Sequence, residues 1–206
     1  KFTGLYDFTV DGVLIAEGDS LNHIEFTSNE TTPFAGDWGM ITLHSPGNTL
    51  RYVDVSYADN GITGEDIDGS IFDHCSVRDI PRWPDDHMQR YDCHGIEAEN
   101  CLGCEFTYNS VDGFIWEGIM VEHDGSGSIF IGNEINLEGS VYGIAVMEGD
   151  SITFANNQVT TDATSIWVGE GSNLSFTDNT ISSSGTAIDV ISGSDCVFTG
   201  NTISSG

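Results

Sequence analysis

Most of the residues able to do chemistry crowd into one segment. Between Val77 and Gly95 the chain reads RDIPRWPDDHMQRYDCH, with three of the four arginines (Arg78, Arg82, Arg90), Trp83, His87, His94 and four aspartates (Asp79, Asp85, Asp86, Asp92). Three chemistries fit this set. A salt-bridged loop, anchored on the body of the protein by Trp83, would use the charges only against one another. A sugar-binding site would use Trp83 as a stacking platform, with Arg78, Arg82, Arg90, Asp85 and His87 bonding to hydroxyls or uronate carboxylates, since a guanidinium forks onto oxygen pairs. A metal site would draw on His74, His87, Cys93, His94 or Asp85, but their spacing matches no known ligand motif, and no metal is assigned.

Catalysis has fewer handles. Glycoside hydrolysis needs two carboxylates about 5 Å or about 6.5–9.5 Å apart; Asp73, Asp85 and Asp86 are candidates, with Arg82 beside them, although among 33 acidic residues some pair meets that spacing by accident. There is no serine nucleophile elbow and no phosphate-binding loop. From Asp124 to the last residue no Lys, Arg or His occurs. The acidic runs Gly64–Gly69 and Glu122–Gly125 offer oxygen to Ca²⁺, but neither follows the EF-hand or nonapeptide pattern, so they read as solvated turns and no cofactor is assigned. Five cysteines (Cys75, Cys93, Cys101, Cys104, Cys196) leave at least one unpaired within the chain. Cys101-x-x-Cys104 lacks the second pair a zinc site wants. Cys104 and Cys196 read as small buried hydrophobes, Cys93 and Cys101 as surface thiols able to cross-link neighbours in an oxidising setting.

Charge narrows the partners. Five basic residues face 33 acidic ones, for a net charge of −28. Nucleic acid phosphates and anionic membrane surfaces would be repelled, and no apolar run is long enough for a membrane-spanning helix. Such a surface favours solubility, above all in high salt.

The elements that must carry these residues announce themselves as a repeat. Residues 151–172 read SITFANNQVTTDATSIWVGEGS, residues 173–194 read NLSFTDNTISSSGTAIDVISGS, and residues 195–206 begin the phrase again. A fixed period of this kind is the signature of a solenoid. Three columns run through it: Phe106, Phe130, Phe154, Phe176 and Phe198; Asn109, Asn133, Asn157, Asn179 and Asn201; Ile96, Ile119, Ile144, Ile166 and Ile188. Apolar and polar residues alternate around each column, so the pieces are strands with one face inward. The asparagines are expected at tight bends, taking left-handed dihedrals and stacking their amides along the axis. Gly69-Ser-Ile-Phe72 fits the same phrase with Cys75 in the Asn slot, and 38–43, 49–55 and 8–15 read as earlier strands. The whole is an all-β, right-handed parallel β-helix over residues 1–206. It has about eight coils of 22–25 residues, with a long loop insertion at about 78–94.

The phrases FTDNTISSSGTAI and FTGNTISSG, with VDGVLIAEGD, HIEFTS, GDWGMITL and TLRYVDVSYADNGI nearer the start, resemble repeats of the pectin-lyase-like superfamily, in particular its extracellular repeat proteins. That resemblance covers nearly the whole chain. It implies the fold and an extracellular or cell-surface location. Its members include lyases, glycoside hydrolases, adhesins, tailspikes and structural surface proteins. Lyases of the group use a Lys or Arg base, which here would have to come from the 78–94 loop. The expectation is a structural or binding solenoid whose partner is a polysaccharide or another copy of itself. The alternative is a carbohydrate-active enzyme working at the loop. Because the repeat stops in mid-phrase, the chain is expected either to continue beyond Gly206 or to stack end to end.

Overall fold

The computed structural model describes residues 1–81, 93–113 and 115–205. Among the described residues twenty-four short strands form three sheets of eight, and every strand-to-strand pairing between them is parallel. Each coil gives one strand to each sheet; coil four, for instance, runs through His94–Glu99, Glu105–Thr107 and Ser110–Gly113. This is the parallel β-solenoid, of about eight coils, that the repeat predicts. The described residues contain no helix, hence none long and apolar enough to cross a membrane.

The second-sheet strands are only three residues long, so each turns its middle side chain inward, and that side chain is buried in every one but the last, Val197–Thr199. Those middle residues are the phenylalanine column, paired in register from Phe72 through Phe106, Phe130, Phe154 and Phe176 to Phe198. Ring centroids along it lie 4.7–5.3 Å apart with nearly parallel planes. The stack works because the coil spacing of ~4.8 Å falls within the range of offset ring stacking. The isoleucine column lies in the first sheet, again in register.

At the bend between second and third sheets the asparagines form the ladder expected of them. Asn133 Nδ2 donates to the Phe106 carbonyl at 2.8 Å and to Asn157 Oδ1 at 2.9 Å, while its own Oδ1 accepts the Asn109 backbone N–H at 3.0 Å. The expected left-handed dihedral, however, belongs to the residue before each rung: His74, Tyr108, Gly132, Asn156, Asp178 and Gly200 have positive φ, and the ladder asparagines do not. The division is physical. The preceding residue turns the chain with its side chain in solvent, leaving the rung free to point inward and bond.

Cys75 occupies the rung expected of it. Its N–H donates to Asn109 Oδ1 at 2.9 Å and its Sγ lies 3.4 Å from the Leu50 carbonyl, where an asparagine would place its amide nitrogen. Burial pushes the thiol up to about 12, so it stays protonated and unreactive at neutral pH. Cys75→Asn extends the ladder by one rung and exchanges a weak sulfur contact for an amide bond. It is expected to raise stability by about 1 kcal/mol, read as a higher urea midpoint at unchanged slope.

The early coils differ in detail from the sequence reading. Residues 49–55 form two strands, Thr49–Arg51 and Val53–Ser56, broken at Tyr52 with φ of 50°. Only Ile41–Leu43 of 38–43 is a strand, because Trp38 turns wholly inward; its Nε1 donates to the Ser56 carbonyl at 2.9 Å and its ring stacks on Phe2 at 4.1 Å. Cys93 and Cys101 are not surface thiols. Both are buried, and Cys101 is fully so, because the bends that carry them turn their side chains into the core. Cys104 is buried as expected, whereas Cys196 is partly exposed in the last coil.

Candidate functional site

The third bend, from third sheet to the next first-sheet strand, is short in coil two and long in coils one and three. Along it runs a groove of about 850 Å³ lined by Phe34 and its neighbours from coil one, Tyr57 from coil two, Arg78 to Pro81 from coil three, and Asp112 with Gly113 from coil four. Four coils at ~4.8 Å make it a slot parallel to the solenoid axis. Phe34 is 67 % exposed, its ring open to the groove's solvent side. The Arg78 guanidinium lies 5.9 Å from the centroid of the Tyr57 ring, and its Nη1 donates to Asp79 Oδ2 at 2.6 Å. Burial works against the charge on Arg78, but contact with Tyr57 and the Asp79 carboxylate outweigh it and hold the pKa above its ordinary value. Arg78 is therefore a permanent cation here, suited to binding and unsuited to acting as a base.

A second polar group sits just past the same bend. His94 opens the first-sheet strand of coil four, and Glu117 is its partner in register in coil five. Both are buried, with His94 Nδ1 3.2 Å from Glu117 Oε2. His94 Nε2 lies 3.8 Å from Glu97 Oε1, and Thr63 donates to Glu97 Oε2 at 3.1 Å. Below them Tyr142 stacks on Trp167 at 5.2 Å. Burial, then the negative charges of Glu117 and Asp189, raise the Tyr142 pKa, so its hydroxyl stays a donor at neutral pH.

Of the residues singled out from sequence, Arg78 lines the groove. Asp73 lies apart from it, at the end of the second-sheet strand Ile71–Asp73, its Oδ1 2.8 Å from His74 Nδ1 and accepting from the Thr107 hydroxyl at 2.8 Å. Arg82, Trp83, Asp85, Asp86, His87, Arg90 and Asp92 lie outside the described residues. Among the described residues no three of His, Cys, Asp or Glu stand together as a metal site. In the acidic runs the carboxylates cap turns: Asp68 Oδ1 accepts the Leu102 N–H at 2.8 Å, and Asp124 Oδ1 accepts the Ser126 hydroxyl at 2.6 Å.

Sequence reasoning missed Phe34, Tyr57, Asp112, Glu117 and Tyr142. The signal for the first three was positional: Tyr57 directly follows the third-sheet strand of its coil, Asp112 lies within one, and Phe34 stands in the long bend that follows another; spacing along the chain hides that until the coil boundaries are fixed. Glu117 was discoverable as a carboxylate one register step from His94.

Comparison with curated proteins and with solved structures returns no match. Residues 94–206 match the family model described as the right-handed β-helix region. That is more than half of the chain, and its coils carry the phenylalanine, asparagine and isoleucine columns; the protein belongs to the right-handed β-helix family.

Proposed function

We propose that this protein is an extracellular or cell-surface solenoid that binds a neutral polysaccharide along the third-bend groove. The carrying observation is the groove's lining: an exposed Phe34, a Tyr57 ring under a guanidinium, and carboxylates on Asp79 and Asp112 within one slot. Apolar walls with a few convergent polar groups are what small-molecule and glycan sites share. Aromatic faces take the C–H face of a sugar, and Arg78, Asp79 and Asp112 answer its hydroxyls. Neutral glycans fit better than uronates, because Asp79 already pairs with Arg78 and the net charge of −28 repels polyanions.

A glycan array in moderate salt, with and without Ca²⁺, tests this. Expected is binding to one or more neutral glycans, weakened at least tenfold (~1.4 kcal/mol) by Tyr57→Ala and by Arg78→Gln. Binding unchanged in both variants, or no glycan bound, would overturn it.

One observation favours a second reading. The buried imidazole of His94 stands 3.2 Å from Glu117 Oε2, and a histidine beside a carboxylate is the pairing that general acid–base chemistry uses, which a carbohydrate-active enzyme needs and a binding module does not. Release of new chain ends from a glycan bound by the protein, abolished by Glu117→Gln with binding retained, would establish it.

A further inference from the structure

The cysteine pair at 101 and 104 plays no part in either reading, yet its setting is specific. It spans a two-residue turn between first and second sheets, with Gly103 at φ of 63°. The equivalent turns one coil before and after are closed by the Ser70 N–H on the Ile67 carbonyl and the Ser128 N–H on the Gly125 carbonyl, both at 3.1 Å. Such a turn holds its first and fourth Cα atoms within ~7 Å, and disulfides span ~4.4–6.8 Å between Cα atoms.

The two positions also share one slot in the core. In later coils the first position is glycine and the fourth fills the space. A Cβ built on Gly149 would meet Ile152 at 2.8 Å, one on Gly171 would meet Leu174 at 3.2 Å, and one on Gly193 would lie 3.2 Å from the Cys196 sulfur. That last separation is close to the ~3 Å from a cysteine Cβ to the far sulfur of a disulfide, given an S–S bond of ~2.05 Å. Coil four alone puts a sulfur-bearing side chain at both positions. Both are fully buried; Cys101 Sγ lies 4.0 Å from Ser128 Oγ, the same atom that accepts the Cys104 backbone N–H at 3.1 Å.

We propose that Cys101 and Cys104 join as a disulfide when the chain folds under oxidising conditions, making this turn a redox-modified brace between the first and second sheets. The oxidant is a small disulfide such as oxidised glutathione. One cysteine thiolate attacks it and releases one glutathione thiol; the second cysteine displaces the other, so two cysteine hydrogens end on two glutathione thiols. The exchange belongs to folding, before the core closes. In the closed core the neighbouring Cys104 thiol and burial raise the pKa of Cys101 and keep it from ionising.

The test needs no variant. The chain is refolded from denaturant in a buffer of reduced and oxidised glutathione, denatured in acid, alkylated without reductant and mapped by mass spectrometry. Expected is a peptide containing both residues, unalkylated and two hydrogens lighter than the dithiol, with Cys75, Cys93 and Cys196 alkylated. Cys101 and Cys104 both alkylated, or joined to any other thiol, would overturn the proposal. Reduction of the refolded protein is expected to lower its melting midpoint by a few degrees, the modest effect of releasing a small loop.

Discussion

Asn133→Ala is expected to cost about 3–5 kcal/mol and to lower the melting midpoint by about 8–15 °C. The substitution removes no charge and little volume. It strips partners from buried groups that water cannot reach. Asn133 Nδ2 serves the Phe106 carbonyl, and Asn133 Oδ1 takes both the backbone N–H and the side-chain Nδ2 of Asn109, at 3.0 and 3.1 Å. Each orphaned buried group costs about 1–3 kcal/mol, and the rungs are coupled, since Asn109 holds Cys75 in turn. Asn133→Asp sharpens the test. A carboxylate keeps the acceptor but faces the Phe106 carbonyl with a second oxygen, so burial and that repulsion raise the folded-state pKa above the unfolded value of about 3.9. A raised acid destabilises the fold as pH climbs above the unfolded pKa and less as it falls toward it. The Asp variant is therefore expected to gain on wild type as the pH is lowered from 7 to 5. Thermal melts of both variants within about 1 kcal/mol of wild type would show that the ladder is decoration and that ring packing alone holds the coils together.

The ladder also shows what could be read from the sequence and what could not. Its register was legible because Asn109, Asn133, Asn157, Asn179 and Asn201 each stand three residues after a phenylalanine, and stacking in a solenoid turns such phase into contact. The φ assignment was not. A bend of two residues leaves open which of them is left-handed, and the answer, the residue before the rung, depends on the rung's need to aim inward. The early coils resisted for a related reason. With Tyr52, His74 and Tyr108 at the turning position, outward rings stack on one another at 4.7 and 5.0 Å and mask the phrase that Gly132 and Asn156 make plain later on. The groove was legible only in part. Arg78 was found because charge clusters there, while Tyr57 and Phe34 become its neighbours through the stacking of coils one to three, which no local spacing records.

Phe130→Ala is expected to destabilise the protein by about 3–5 kcal/mol, and Phe198→Ala by only about 1 kcal/mol. The two residues hold the same column and the same place in their coils, so the comparison isolates stacking and burial from local sequence. Phe130 is fully buried and sandwiched, with Phe106 at 4.9 Å on one face and Phe154 at 5.0 Å on the other. Removing the ring leaves a cavity that strands on both sides cannot close, because each is pinned by parallel pairing in fixed register. Phe198 is 53 % exposed and stacks on Phe176 alone, at 4.7 Å. Its loss opens no enclosed space. Phe130→Leu separates cavity from stacking: Leu50 occupies the same column and is fully buried against Phe72, so leucine fits the slot, and a loss of no more than about 1.5 kcal/mol is expected. Chemical denaturation of the three variants decides the matter. Equal costs for Phe130→Ala and Phe198→Ala would mean that the column does not stabilise through two-sided burial, whereas a Phe130→Leu variant as damaged as the alanine would assign the energy to ring-on-ring contact rather than to filled volume.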